Sequence, residues 1–241
     1  MTAGPLAIPG VVPAADDVRW CHDLSQLAAQ RGAYTDMRTS STSGDPYAVT
    51  TYVALLPWLL FAGGTQRAGT SLVGNANLLT KVYFPRLVIP LSAVLGGLVD
   101  FAISFVVLIG LMAYYHIAPT WNVLWLPLFI ALTVVTAFAV SLWLSALNVL
   151  YRDVQYIIPF LIQLWMYLSP VIWSVSSLPP KWQSLVYLNP MTGVIQAFRW
   201  SLLGQARPSV LGLASTAVVL VILVGGLFYF RRMERVFADV V

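Results

Sequence analysis

Long apolar runs alternate with short polar or basic joints along most of this chain. Residues 47–72 are mostly apolar, with Leu55-Leu56-Pro57-Trp58 near the middle, Gly63-Gly64 beyond and Arg67 toward the far end. This pattern predicts a span broken around its proline and glycines. Residues 88–113 are apolar apart from Asp100. At 1.5 Å per residue such a run extends about 39 Å, enough to cross a bilayer with tilt. A turn at 114–121 leads to a further span at 122–147, and then to a joint holding Arg152 and Asp153. Residues 155–173 predict another span, with Pro159 and Pro170 inside its limits. The apolar pieces of 174–208 are too short to cross, which predicts re-entrant or interfacial helices. The last span is 209–230, followed by Arg231, Arg232 and Arg235. The expected fold is therefore an all-α integral membrane protein, with about five transmembrane helices and re-entrant external helices.

Residues 1–46 do not share the pattern. They are rich in Pro, Ser, Thr and Asp, contain no apolar run of signal-peptide length, and predict a polar, poorly ordered tail with a short helix near 23–31. The domain organisation expected is thus this tail at 1–46 and a transmembrane domain at 47–241.

Composition supports the membrane class. Of 241 residues, 59% are hydrophobic and 9% charged, against roughly a quarter charged in soluble domains. Lys81 with Arg86, Arg152, and the Arg231–Arg235 cluster recur at every second joint, which assigns those joints to the cytoplasm. Basic charge here reports orientation and not nucleic-acid binding. The 174–208 segment falls outside, despite Lys181, Arg199 and Arg207. Five spans ending inside put the amino terminus outside, at odds with a tail that carries no signal sequence.

Catalytic chemistry is missing from the motifs. The two lysines, Lys81 and Lys181, do not follow a glycine, so no GxxxxGK[ST] phosphate loop is present. Two histidines and the lone Cys21 leave no metal cluster and no internal disulfide. The expectation is a chain that is not an enzyme and holds no cofactor of its own.

Candidate functional residues lie in three places. The segment around Asn75, Asn77, Thr80, Lys81, Tyr83, Phe84 and Arg86 is a polar, basic and aromatic joint between two spans. It is either a plain cytoplasmic turn or a surface on which another protein pushes, and the second is preferred. Asp100 is a carboxylate inside a span, either a substrate contact or a residue satisfied by Ser92, Ser104 or a neighbouring helix. Trp58, Phe61, Trp165 and Tyr167 either belong to lipid-facing belts or line a pore, where aromatic faces stack on sugar rings. Lys181 and Arg199 either anchor to lipid headgroups or meet an anionic substrate.

Three stretches carry a resemblance: SLVGNANLLTKVYFPRLVIPLSAV at 71–94, LNVLYRDVQYIIPFLIQLWMYLSPVIW at 147–173 and LNPMTGVIQAFRWSLLG at 188–204. They resemble the permease subunits of type-2 ABC exporters, in the branch that exports O-antigen, teichoic acid and capsule. The resemblance covers about 47–235. It implies a homodimer of permeases in the bacterial cytoplasmic membrane, joined to two separate ATPase subunits that bind ATP and Mg. It also implies a lipid-linked glycan as cargo. Residues 74–87 look like that family's coupling helix, and 174–207 like its re-entrant helices. That family has an interfacial helix and a first span before the segment matching Tyr47. Residues 1–46 match neither, so the expectation is an incomplete start. Exporters of drugs or small lipids and a non-transporting membrane protein are the alternatives.

Overall fold

The period of the apolar positions makes every regular element helical among the residues that the structure, a computed structural model, describes: 46–75, 85–175, 178–205 and 210–240. Residues 1–45, with the expected tail and its short helix, lie outside them. The fold below concerns the compact unit Ala48–Val241. Its elements are α1 (Tyr47–Gly74), α2 (Val88–Tyr114), a 3-10 turn (Trp121–Trp125), α3 (Leu126–Leu150), α4 (Val154–Leu168), α5 (Pro180–Val186), α6 (Pro190–Leu203) and α7 (Val210–Val240).

Four helical stretches are long and apolar enough to cross a membrane: Tyr47–Gly74, Val88–Tyr114, Trp121–Leu150 and Gly212–Met233. The protein is an all-helical integral membrane protein. The expected break in the first span does not occur. α1 runs through Pro57, whose ring is buried. Packing on several sides of α1 holds the helix where the proline removes one backbone hydrogen bond.

The span expected at 155–173 is shorter in the structure. α4 ends at Leu168, where Ser169 turns to an extended conformation (φ −94°, ψ 143°). Ser169 precedes Pro170, whose ring disfavours helical backbone in the residue before it. Fifteen residues rise about 22 Å, short of the roughly 30 Å hydrocarbon core.

α3 lies centrally, packing on α7, α6, α2 and α4. Its buried hydroxyls are satisfied within the helix: Thr133 donates to the Phe129 carbonyl, Thr136 to Leu132 and Ser141 to Phe138. Small side chains that need no outside partner let neighbouring helices approach closely. Trp143 on α3 donates to the Ile222 carbonyl of α7 at 3.1 Å and stacks on Tyr229, ring centroids 4.9 Å apart.

Among the described residues of the 174–208 segment, two short helices form, α5 and α6. α6 begins with Pro190 in its first turn, and the side chain of its cap Asn189 accepts from the Met191 N–H. It closes on Gly204 at φ 65°, the left-handed geometry that glycine adopts without strain. Between these caps, Met191, Val194, Ile195, Phe198 and Leu202 are buried. α6 therefore folds back into the bundle, against α3, α7 and the 3-10 turn.

Candidate functional site

The joint between α1 and α2 is held at both ends by local bonds. Asn75 closes α1, its backbone N–H and its side-chain Nδ2 both donating to the Ser71 carbonyl at 3.1 and 2.8 Å. On the other side, Arg86 lies in a turn in which the Val88 N–H donates to the Pro85 carbonyl at 3.0 Å. Asn77, Thr80, Lys81, Tyr83 and Phe84 lie outside the described residues. Next to the joint, Leu72 and Ile89 share a small core with Leu142, Ala146, Val149 and Phe230. The ends of α1, α2, α3 and α7 thus meet at one end of the bundle.

Asp100 pairs with Arg67 of α1, Nη1 to Oδ2 at 2.7 Å. Of the partners expected for Asp100, the neighbouring helix supplies the one found. The two serines serve backbone carbonyls instead, Ser104 donating to Asp100 and Ser92 to Ile89. The guanidinium occupies a notch between two glycines. A Cβ at Gly63 would lie 3.3 Å from Nη2, and one at Gly97 would lie 2.7 Å from it. Neither charge is enclosed by this chain: the Arg67 and Asp100 side chains are 45% and 66% exposed.

Three of the four candidate aromatics come together. Trp58 and Phe61 are buried, with centroids 5.4 Å apart, and Phe61 meets Trp165 edge-on at 5.3 Å. Trp165 donates to Asn189 Oδ1 at 3.0 Å, while Asn189 Nδ2 donates to Ser169 Oγ at 2.9 Å. This cluster joins α1, α4 and the cap of α6. Trp58 and Phe61 thus lie in this chain's own core. Tyr167 is exposed, and its carbonyl accepts from Trp173 at 3.3 Å. Beside Trp165 opens an apolar groove of about 590 Å³, lined by Leu161, Leu164, Leu168, Leu185 and Leu188.

The outer cations separate. Lys181 is exposed on α5. Arg199 is 8% exposed on α6, and its Nη2 donates to the Val171 carbonyl at 2.9 Å. Arg199 is thus buried against a backbone carbonyl of the turn after α4. Arg67, Asn148 and Asn189 did not figure among the candidate residues. Asn148 donates from α3 to the Gly69 carbonyl of α1 at 3.1 Å. A signal for Arg67 was available: within the first two spans, Arg67 and Asp100 are the charged residues, and they have opposite sign. Among the described residues, no group of three His, Cys, Asp or Glu side chains could hold a metal ion.

Among the described residues the chain is an all-helical membrane bundle whose first two long spans bracket a short joint. Residues 24–203 match the ABC-2 type transporter family, and the chain belongs to that family. The match starts inside the 1–46 stretch, upstream of Tyr47. The chain is 30% identical over 188 residues to the O-antigen export system permease protein RfbA of Myxococcus xanthus, covering 76% of this chain and 72% of that one. It is 28% identical over 199 residues to the protein of the same name from Klebsiella pneumoniae, covering 80% and 75%.

Proposed function

We propose that this chain is the permease subunit of an ABC exporter for a lipid-linked polysaccharide of O-antigen type, in the cytoplasmic membrane of a bacterium. The observation that carries it is the likeness to two O-antigen export permeases over about three quarters of each chain. Two copies of the permease would join two ATPase subunits, which bind ATP and Mg and perform the hydrolysis. The 74–87 joint is the docking surface for the ATPase, with Lys81 and Arg86 supplying charge. The shared core of Leu72, Ile89, Leu142 and Phe230 favours this mechanism. A push on the joint reaches the ends of α1, α2, α3 and α7 together, because a packed core moves as a body and does not yield continuously.

The test is co-purification of the tagged chain with its ATPase from detergent extract, with Lys81→Glu as the control. Recovery of an ATPase that the control loses, together with loss of surface glycan in a strain lacking this gene, is the expected result. A folded chain that recovers no ATPase, and whose loss leaves surface glycan intact, sinks the proposal.

A further inference from the structure

The turn between α2 and α3 points its largest apolar side chains outward. In a 3-10 helix such as Trp121–Trp125, residues three apart stand in line, because one turn takes three residues. Val123 and Leu126 form the inward line: Val123 packs on the main core and Leu126 is buried. Trp121 and Leu124 form an outward line, 97% and 86% exposed, and Trp125 beside them is 53% exposed.

Helix length sets the level of this ridge. The 27 residues of α2 and the 25 of α3 rise about 40 and 37 Å, past a hydrocarbon core of roughly 30 Å. The turn that joins them, on the side away from the 75–87 joint, therefore stands at headgroup level. Indole, with an apolar body and one N–H donor, suits that boundary. No Asp, Glu, Lys or Arg occurs between Asp100 and Arg152, so no charge holds this end of the two helices in bulk water. One helical turn beyond Leu124, Leu128 is also exposed, so the ridge continues the outward apolar surface of a membrane-spanning stretch. A protein partner fits less well. At roughly 150–250 Å² for a tryptophan, three side chains supply less than the about 800 Å² that each side of a stable protein interface takes.

The turn is also fastened to α6. Its cap Thr120 closely approaches Gly204 at the end of α6, where a Cβ would lie 3.0 Å from Thr120 Oγ1. In the first turn of α3, Phe129 meets Trp200 of α6 edge-on, with centroids 6.3 Å apart.

We propose that Trp121, Leu124 and Trp125 seat in the phospholipid headgroup layer of the leaflet away from the joint, and that this seat sets the depth of the end of α6. The contacts of Thr120 and Phe129 carry the level of the turn to Gly204. Neither an ATPase nor a cargo is needed for the seat.

Depth-dependent quenching tests it, with the full chain in vesicles of phosphatidylcholine and phosphatidylglycerol. In a Cys21→Ser background, Leu124→Cys carries a nitrobenzoxadiazole label. Phosphatidylcholine spin-labelled near its headgroup is expected to quench this label about twofold more than the same lipid spin-labelled deep in its chain. Leu128→Cys gives the same readout should Leu124→Cys lower the yield, and Ile103→Cys, near the middle of α2, is expected to show the reverse order. Strong quenching by aqueous iodide without quenching by lipid would place the ridge in water and overturn the proposal. Quenching by neither would mean that protein covers the ridge, a second copy or another partner, and overturns it equally. The order found for Ile103→Cys, seen at Leu124→Cys, would sink the ridge into hydrocarbon and also overturn it. A label on Gln205→Cys reads the second half. Replacing Trp121, Leu124 and Trp125 together with Ser is expected to change its shallow-to-deep quenching ratio by about twofold. Trp121→Ser alone serves if the triple variant lowers the yield. An unchanged ratio in a variant with the parent's melting temperature defeats the hold on α6.

Discussion

Two arginines sit inside the apolar bundle, in opposite circumstances. Arg199 on α6 is buried, and one of its nitrogens serves the carbonyl of Val171, in the turn after α4. Arg67 on α1 lies in a glycine notch, pairs with a carboxylate and faces outward, half exposed. The first is held by the chain's own backbone and ties α6 to the end of α4. The second is matched by a charge on another helix while both remain reachable from outside. Charge in an apolar setting therefore has two meanings here, and exposure separates them. Arg199 ties two elements of this chain together, and Arg67 with Asp100 joins α1 to α2 by an exposed ion pair.

Substitutions should divide along the same line. Arg199→Ala is expected to cost the most stability, about 3 kcal/mol, by stripping a buried carbonyl of its charged donor and leaving a cavity. A fall in the detergent melting temperature and in monodisperse yield would report it; a wild-type melting curve would mean that Arg199 is not structural. Gly193→Ala is next, at about 1–3 kcal/mol, because the new Cβ would collide with Ser215 Oγ on α7. Adding Ser215→Gly should recover part of that loss, and failure to do so would place the strain elsewhere. Trp165→Phe removes the bond to Asn189 and should cost about 1 kcal/mol. Combined with Asn189→Ala it should cost less than the sum of the two, since both break one network. Arg67→Met should alter stability least, by no more than about 1 kcal/mol, as expected for a pair this exposed. Export should nonetheless fall several-fold. Partial recovery in the charge swap Arg67→Asp with Asp100→Arg would show that the pair acts as a pair. A large stability loss in Arg67→Met would erase the contrast with Arg199.

The groove beside Trp165 shows the same division within one region. Its leucines come from α4, α5 and the link to α6, and the bond between Trp165 and Asn189 joins α4 to the cap of α6. From sequence, Trp165 was one of several aromatics in an apolar run. The fold makes it the meeting point of α1, α4 and α6.

The sequence by itself determined the helical membrane class, and its pattern sets out long apolar runs, shorter apolar pieces in 174–208 and a polar joint between two runs. These features follow from neighbours along the chain: apolar runs of bilayer length, Asn189-Pro190 as a helix start, Gly204 as a helix end. The end of α4 at Ser169-Pro170 was legible by the same local rule, although the apolar residues beyond it suggested a longer helix. Only the tertiary structure decided that Arg67 meets Asp100, that Trp58 and Phe61 are interior, and that Arg199 is buried. Each of these depends on how far one helix is rotated and slid against another. That rotation and depth are fixed by the packing of many side chains at once, and no local pattern along the chain encodes them.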